Sequence, residues 1–405
     1  MPQRRPLTRD RDFLLVMTGE GITAVGDAVS FTALPLLVLA LTGSGLMMGI
    51  VGALQTLPDL LFGVVAGAIA DRSDRKRLLV WSVFGRGALT GLIPLSVVLG
   101  GPTMAVILVV AAPLSALRAF SLAAYTAAVP AIAERDRLGE ANGYLEAVYS
   151  GGFVLGPAIA GLLSALIGPG LTLAVDAASF LADAVLLSFI ARDLRVAASS
   201  PSAGLREQIR EGVAYLVGHP VLRAAVALFA TAGVVGAGIV SALTVHITRD
   251  LGESAGSLGA VYSIFGIGTV VGALVALRLR HAPAWPALLG GNLLRGLALV
   301  GIAVLPTAAA LAPFAFLAGA ANSLVVTLYI TLRTALTPDE LLGRVGSTAR
   351  TVSLGLQPLG MLAAGALIDA TDGTTTVLVI GLALVATTIL FLPLRAPRGV
   401  RVGSR

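Results

Sequence analysis

The chain has no cysteine, which excludes disulfides, thiolate metal sites and cysteine nucleophiles. Lysine is almost missing as well. Lys76 is the only one, and no glycine precedes it, so there is no Walker A loop and no direct coupling to ATP. The three histidines, His219, His246 and His281, are scattered, and no metal site is expected from them. Charged residues make up only 12% of the chain, against about 25% in soluble proteins. What fills the chain instead is apolar: 56% hydrophobic residues and a mean hydropathy of +0.92. Runs of eighteen or more mostly apolar residues recur, and each is long enough to cross a hydrocarbon core of ~30 Å. The 48 glycines and 20 prolines spread through these runs suit transmembrane helices better than soluble ones. This is the composition of an all-α polytopic membrane protein.

Breaks at clusters of charge, glycine or proline predict twelve spans, near 13–41, 46–70, 79–100, 103–128, 140–168, 170–192, 221–247, 256–279, 285–306, 308–335, 346–370 and 374–394. On this map 24 of the 28 basic residues fall in the amino-terminal stretch, alternate loops, the central segment and the tail, all on one side. Arg249 alone faces the other side, and Arg86, Arg118 and Arg295 lie inside spans. The positive-inside rule then puts both termini in the cytoplasm. The net charge of +6 reads as a topology signal, with no nucleic-acid partner implied. The start, "MPQRRPLTRDRD", leads directly into a long apolar helix, so no cleaved leader is expected. Arginine in place of lysine suggests a high-GC bacterial source and hence the bacterial inner membrane.

The chain also repeats. A shift of 204 places Tyr125 on Tyr329, Leu138-Gly139 on Leu342-Gly343, Gly156 on Gly360 and Gly161 on Gly365. A shift of 209 aligns "RGALTGLIPL", from Arg86, with "RGLALVGIAV", from Arg295. The pattern predicts two pseudo-symmetric six-helix bundles, residues 1–195 and 220–405, joined by a linker at 196–219 with a cytoplasmic amphipathic helix. Parallel repeats of this kind are the arrangement of secondary transporters, with the site expected between the halves.

Acids inside spans are the most informative chemistry, because a charge at bilayer depth costs at least ~2.5 kcal/mol. Glu20 and Asp27 lie in span one, Asp59 in span two, Glu146 in span five, and Asp176 and Asp183 in span six. The second half has none near mid-membrane. Glu20 and Asp27 are seven apart, so they share a helix face about 10 Å apart along the axis. Asp27, Asp59, Asp183 and Arg118 fall near the midplane by residue count. A carboxyl held between burial, which disfavours its charge, and a nearby arginine, which favours it, can exchange protons. Asp27 is the leading candidate for proton coupling, followed by Glu20 and Asp59, with Arg118 as the partner arginine. The competing expectation for Asp176 and Asp183 is plain capping or pairing within the bundle. Gly63-x3-Gly67, Gly152-x3-Gly156 and Gly268-x3-Gly272 are small-residue pairs that predict close helix packing. Pro157 predicts a bend in span five. "GESAG" at 252–256 fits the serine-hydrolase pattern G-x-S-x-G but sits in a short extracellular loop and is discounted.

On these residues the chain resembles the major facilitator superfamily. "GAIADRSDRKRL" is similar to its loop motif G-x-x-x-D-R-x-G-R-R/K-x-L at Gly67, Asp71, Arg72, Arg75, Lys76 and Leu78, with Asp74 in place of glycine. "GGFVLGPAIAG" resembles the antiporter motif at Gly152, Gly156, Pro157 and Gly161, with Ala160 replacing one glycine. Arg118 stands where the family has its intramembrane arginine. "REGVAYLVGHPVLR" resembles the branch containing enterobactin exporters and macrolide efflux proteins. The resemblance implies the major facilitator fold, a drug/proton antiporter and a cytoplasmic latch. In that latch Asp71 meets a helix terminus near Gly346, and Arg75 pairs with Glu134 or Asp136.

Three functions are weighed. The first is a proton-coupled exporter of amphiphilic small molecules such as drugs, siderophores or macrolide-like metabolites. The second is an importer or a lipid or lysophospholipid translocator on the same fold. The third, a membrane sensor or intramembrane enzyme, lacks any catalytic constellation. The expected partners are a small amphiphilic substrate, protons and the bilayer. The chain is expected to act as a monomer, with no cofactor beyond the proton gradient.

Overall fold

The computed structural model describes residues 6–70, 72–133, 137–194, 205–279 and 281–394; within its helices the side chains at 59, 60, 64, 68, 205, 206, 208 and 209 are not described. Among the described residues there is no strand, and twelve segments are long and apolar enough to span a membrane. The elements of the first half are α1 (Arg11–Thr42), α2 (Gly45–Ala70), α3 (Arg75–Val98), α4 (Thr103–Ala133), α5 (Leu138–Ile167) and α6 (Pro169–Ser188). A separate helix, α7 (Leu205–Gly218), follows. The second half contains α8 (Pro220–Gly236), α9 (Ile239–Val245), α10 (Ala255–Arg278), α11 (Ala284–Val304), α12 (Ala308–Ala335), α13 (Leu342–Gly355), α14 (Gln357–Ala370) and α15 (Gly373–Phe391).

Residues 1–42 and 54–200 form one packing unit, and 43–53 with 201–405 form the other. In the first, α1 packs on α5 and α6, and α3 packs on α4 and α6. The second repeats this scheme, with α11 against α12 and α15, and α8 against α13, α14 and α15. Lipid-solvated helices gain little from apolar contact as such, so close packing at small residues holds them together. Gly152 and Gly156 of α5 pack against Ala24, Val25 and Ala28 of α1; a Cβ on Gly152 would fall 2.7 Å from the Ala24 carbonyl carbon. Gly268 and Gly272 of α10 lie on the α12 backbone at Phe316 and Ala320 in the same way. Gly63 and Gly67 do not: among the described residues a Cβ on either would meet nothing within 4 Å, so the expected close contact is not seen there.

Two spans are discontinuous. The seventh breaks between Gly236 and Gly238, where α8 ends and α9 begins, and ends in a π-helical turn at His246–Asp250. The eleventh breaks at Leu356, and α14 restarts with Pro358 in its first turn. Proline supplies no N–H to the preceding turn, so a restart there is the low-cost solution. Pro157, by contrast, sits inside the uninterrupted helix α5.

Local caps fix the ends. Asp74, the departure from the loop motif, caps α3 by accepting from the Arg77 N–H at 3.2 Å. Ser254, the serine of "GESAG", caps α10 by accepting from Ser257 N–H. In the second unit Asp369 of α14 receives the start of α2. Its carboxylate accepts from Ser44 Oγ at 2.6 Å, Gly45 N–H at 2.5 Å and Leu46 N–H at 3.1 Å. On the other side of that unit, Glu211 of α7 pairs with Arg344 of α13, and Tyr215 donates to the Leu336 carbonyl at 2.7 Å.

Candidate functional site: a carboxyl cluster around Arg86

Two helices crossing antiparallel bring four acids together in the first unit. On α1, each of two glycines seven apart precedes an acid: Gly19-Glu20 and Gly26-Asp27. On α6, Asp183 and Asp176 have the same spacing in reverse. Asp183 faces Gly19, where a Cβ would lie 2.9 Å from its Cγ, and Asp176 faces Gly26, where a Cβ would lie 2.8 Å from its Oδ1. The glycines serve as sockets. Any side chain at 19 or 26 would drive a carboxyl group out of its seat.

The cation of the cluster is Arg86, at the middle of α3. Its Nη2 donates to Asp27 Oδ1 at 2.8 Å, and its Cζ sits 4.0 Å over the Phe180 ring. The stacked ring and the carboxylate hold the guanidinium on two sides. Its side chain is 14% exposed while that of Asp27 is 42% exposed, so the pair is open on the Asp27 side only.

Asp176 and Asp183 are 3% and 4% exposed. Asp176 accepts a hydrogen bond from Ser30 of α1. Its Oδ1, and Oδ1 of Asp183, are buried without a partner among the described residues. The charged groups around Asp183 are Glu20, Arg86 and Asp27; those around Asp176 are Asp27 and Arg86. The Tyr125 hydroxyl, also buried without a partner, faces Glu20 and Asp183. Four carboxyl groups therefore share one guanidinium. Acids at this depth are costly to hold within spans, and four of them here stand around a single cation.

The sequence analysis names Arg118 beside Asp27 and Glu20, whereas the arginine that pairs with Asp27 is Arg86. Arg118 is exposed on α4, and its side chain makes no hydrogen bond or ion pair among the described residues. Arg86 was visible as an intramembrane arginine at the head of the repeat with Arg295. Which helix face it occupies is set by packing of α3 on α6, and the sequence alone does not carry that. Asp176 pairs within the bundle through Ser30, and it and Asp183 each keep one buried oxygen without a partner among the described residues. The Asp59 side chain lies outside the described residues.

The family model for transmembrane secretion effectors, a branch of the major facilitator superfamily, matches residues 5–402. The chain belongs to that family. Multidrug efflux pump Tap of Mycolicibacterium fortuitum is 28% identical over 401 residues, covering 95% of this chain and 97% of the pump. The pump of the same name from Mycobacterium tuberculosis (strain ATCC 25618 / H37Rv) is 30% identical over 395 residues, covering 95% and 93%. Among solved structures, a bacterial homologue of the human lysosomal transporter Spinster, inward-facing and unoccupied, superposes with a TM-score of 0.72 at 16% identity over 96% of this chain and 95% of that one. The nucleoside transporter NupG gives 0.74 at 12% identity over 94% and 98%. These two likenesses establish the major facilitator fold.

As a major facilitator protein the chain is a multi-pass membrane transporter, and no enzyme. Of its loop motif, Asp71 lies outside the described residues, as do Glu134 and Asp136, the expected partners of Arg75. Arg75 donates to the Ala127 carbonyl at 3.0 Å and Lys76 to the Ile190 carbonyl at 2.7 Å, so both basic groups cover helix ends of the first unit. Arg72 is exposed and Gly67 half-buried. In the antiporter motif Gly152, Gly156, Pro157 and Gly161 are all buried, and the two leading glycines form the α1 contact described above.

Proposed function

We propose that this transporter exports amphiphilic small molecules from the bacterial cytoplasm in exchange for protons, by alternating access. Both termini are then cytoplasmic, the membrane is the inner one, and the unit of function is a monomer. The observation that carries the reading is the excess of carboxyl groups over guanidinium groups within the spans, at Asp27, Glu20, Asp176, Asp183 and Arg86. Groups of this kind within spans mark proton and ion pathways by their expense alone. The resemblance to pumps named for multidrug efflux supports the outward direction.

In this mechanism Asp27 exchanges Arg86 for a proton. When Asp27 is protonated the ion pair opens, and the guanidinium turns to the next available carboxyl. Glu20 and Asp183, one socket along, accept or pass the proton toward the cytoplasmic end of α1. Asp71 of the cytoplasmic loop is proposed as a latch on a helix terminus when the transporter faces outward.

The test is accumulation of cationic amphiphilic dyes in cells expressing the chain, with and without a proton uncoupler. Lower accumulation that the uncoupler abolishes supports the reading. Raised accumulation would favour an importer, and movement of labelled lysophospholipid without dye efflux would favour a lipid translocator.

A further inference from the structure

The ion pair of the first unit has a counterpart in the second, with one member missing. The shift of 209 that sets Arg86 on Arg295 sets Asp27 on Gly236, and the start of α1 at Arg11 on the start of α8 at Pro220. The contact repeats with the numbering. The Arg295 guanidinium lies against Gly236, its Cζ 3.2 Å from the point where a Cβ would stand. Asp176 and Asp183 map by the shift of 204 to Ile380 and Thr387, and Glu20 maps by 209 to Phe229. All four acids have gone from the second unit, and the arginine has stayed.

Arg295 sits at the middle of α11, and no described residue forms a hydrogen bond or ion pair with its side chain. The acids of the second unit in or next to its spans, Asp250, Glu253, Asp339, Glu340, Asp369 and Asp372, all stand at helix ends or in loops. Five N–H donors are thus held at bilayer depth with nothing to receive them.

Other donors gather beside them. Gln357 Nε2 lies 3.1 Å from the Cβ position of Gly233, one helical turn from Gly236 on α8, about 4.5 Å along the axis. Ser353, a turn before Gln357, has a buried hydroxyl without a partner. Both breaks in the helices fall here: α8 ends at Gly236 and α14 begins at Gln357. Discontinuous helices meeting at mid-membrane are where transporters of this general kind hold charged groups.

We infer that Arg295, with the Gln357 amide, binds an anionic group of the transported molecule, a carboxylate being the chemistry that fits a fork of parallel N–H donors. The inference rests on the transporter reading above and adds the class of cargo: amphiphiles bearing a carboxylate, including zwitterions. Gly236 carries no carboxyl where the first unit has Asp27, and the Arg295 guanidinium lies over its bare backbone, so the cargo supplies the anion that the chain omits.

The test uses the purified full chain in nonionic detergent and a low-salt Tris buffer free of carboxylate ions, so that no buffer anion of the proposed class competes with the probes. The probes are rhodamine B, which has a free carboxylate, and its ethyl ester, which has the same ring system without one; binding is read by fluorescence anisotropy. The wild type is expected to bind the acid at least fivefold tighter than the ester. Arg295→Gln should bring the acid down to the level of the ester and leave the ester within twofold. Arg295→Lys should recover part of the preference. Gly236→Asp should mimic Arg295→Gln, because an internal carboxylate then occupies the guanidinium, and it should elute from size exclusion as the wild type does. That variant decides the matter where Arg295→Gln does not fold.

Equal binding of the two dyes by the wild type, or binding of neither, overturns the inference. So does an equal loss of both dyes in Arg295→Gln or Gly236→Asp with unchanged elution, which would make Arg295 structural. Export of the ester from intact cells is scored separately. If it persists while the dyes bind equally, the anion site fails and the exporter reading stands; if it is absent, the exporter reading fails.

Discussion

The two units share a helix plan and an arginine but differ in what surrounds the arginine. Arg86 meets Asp27 at 2.8 Å with Glu20, Asp176 and Asp183 close by, whereas Arg295 meets the bare backbone of Gly236. A duplicated scaffold keeps its packing easily, since glycines such as Gly156 and Gly360 hold the same contacts in both copies. Its titratable groups are free to diverge because each of them costs stability. One copy has a cluster of four acids around its arginine, and the other has only the cation.

The strongest way to break the comparison is to remove the charge from Asp27. Asp27→Asn keeps shape and hydrogen bonding but fixes the neutral state. It should lower uphill, uncoupler-sensitive dye export more than tenfold while downhill exchange in proteoliposomes persists. Export that stays concentrative and pH-dependent would move the coupling site to another acid, with Asp183 and then Asp59 next to be tested.

Loss of packing should come close behind. Gly156→Leu forces a side chain into the α1 contact and should reduce transport about tenfold with protein still in the membrane, as judged by immunoblot against transport rate. Gly26→Ala is the finer version. It displaces the Asp176 carboxyl together with the Ser179 hydroxyl and should cost several-fold in transport without loss of expression; wild-type rates would show that the socket is incidental.

The comparison sharpens when the arginines are exchanged for glutamine one at a time. Arg86→Gln leaves Asp27 without its cation and should reduce export of a cationic dye at least tenfold. Arg295→Gln should leave export of the same cationic dye within twofold, since that cargo has no use for the guanidinium. Equal losses in the two variants would mean that the arginines have one shared structural role.

The smallest expected effect lies at Asp369, which caps the start of α2. Replacing a capping carboxylate by alanine costs about 0.5–2 kcal/mol. Asp369→Ala should therefore lower the thermal midpoint of the purified chain by a few degrees, with transport nearly unchanged.

Much of this was legible in the sequence. Long apolar runs and the one-sided arginines give twelve spans, because length and charge act on each span independently of its neighbours. The acids of α1 and α6 were legible for the same reason: a charge in an apolar run stands out alone. The partner of Asp27 was not, since Arg86, Arg118 and Arg295 look alike in one dimension and only helix rotation separates them. The breaks at Gly236–Gly238 and Leu356 were also hidden. Glycine and proline occur inside many of the helices here, and a break forms only where neighbouring helices satisfy the freed backbone. Gly63 and Gly67 show the converse, a packing motif on which none of the described residues packs.

The imbalance of four acids against one guanidinium also has an electrical consequence. Arg86 is permanently charged, so every proton gained or lost by the cluster changes its net charge by one. If one proton enters for each neutral cargo molecule that leaves, the cycle carries current, and membrane voltage drives it at about 2.3 kcal/mol per 100 mV. A cationic cargo exchanged for one proton would cancel that current, and a zwitterion would restore it. Solid-supported membrane currents recorded with rhodamine B and with its ester should therefore differ in amplitude, the zwitterion giving the larger signal.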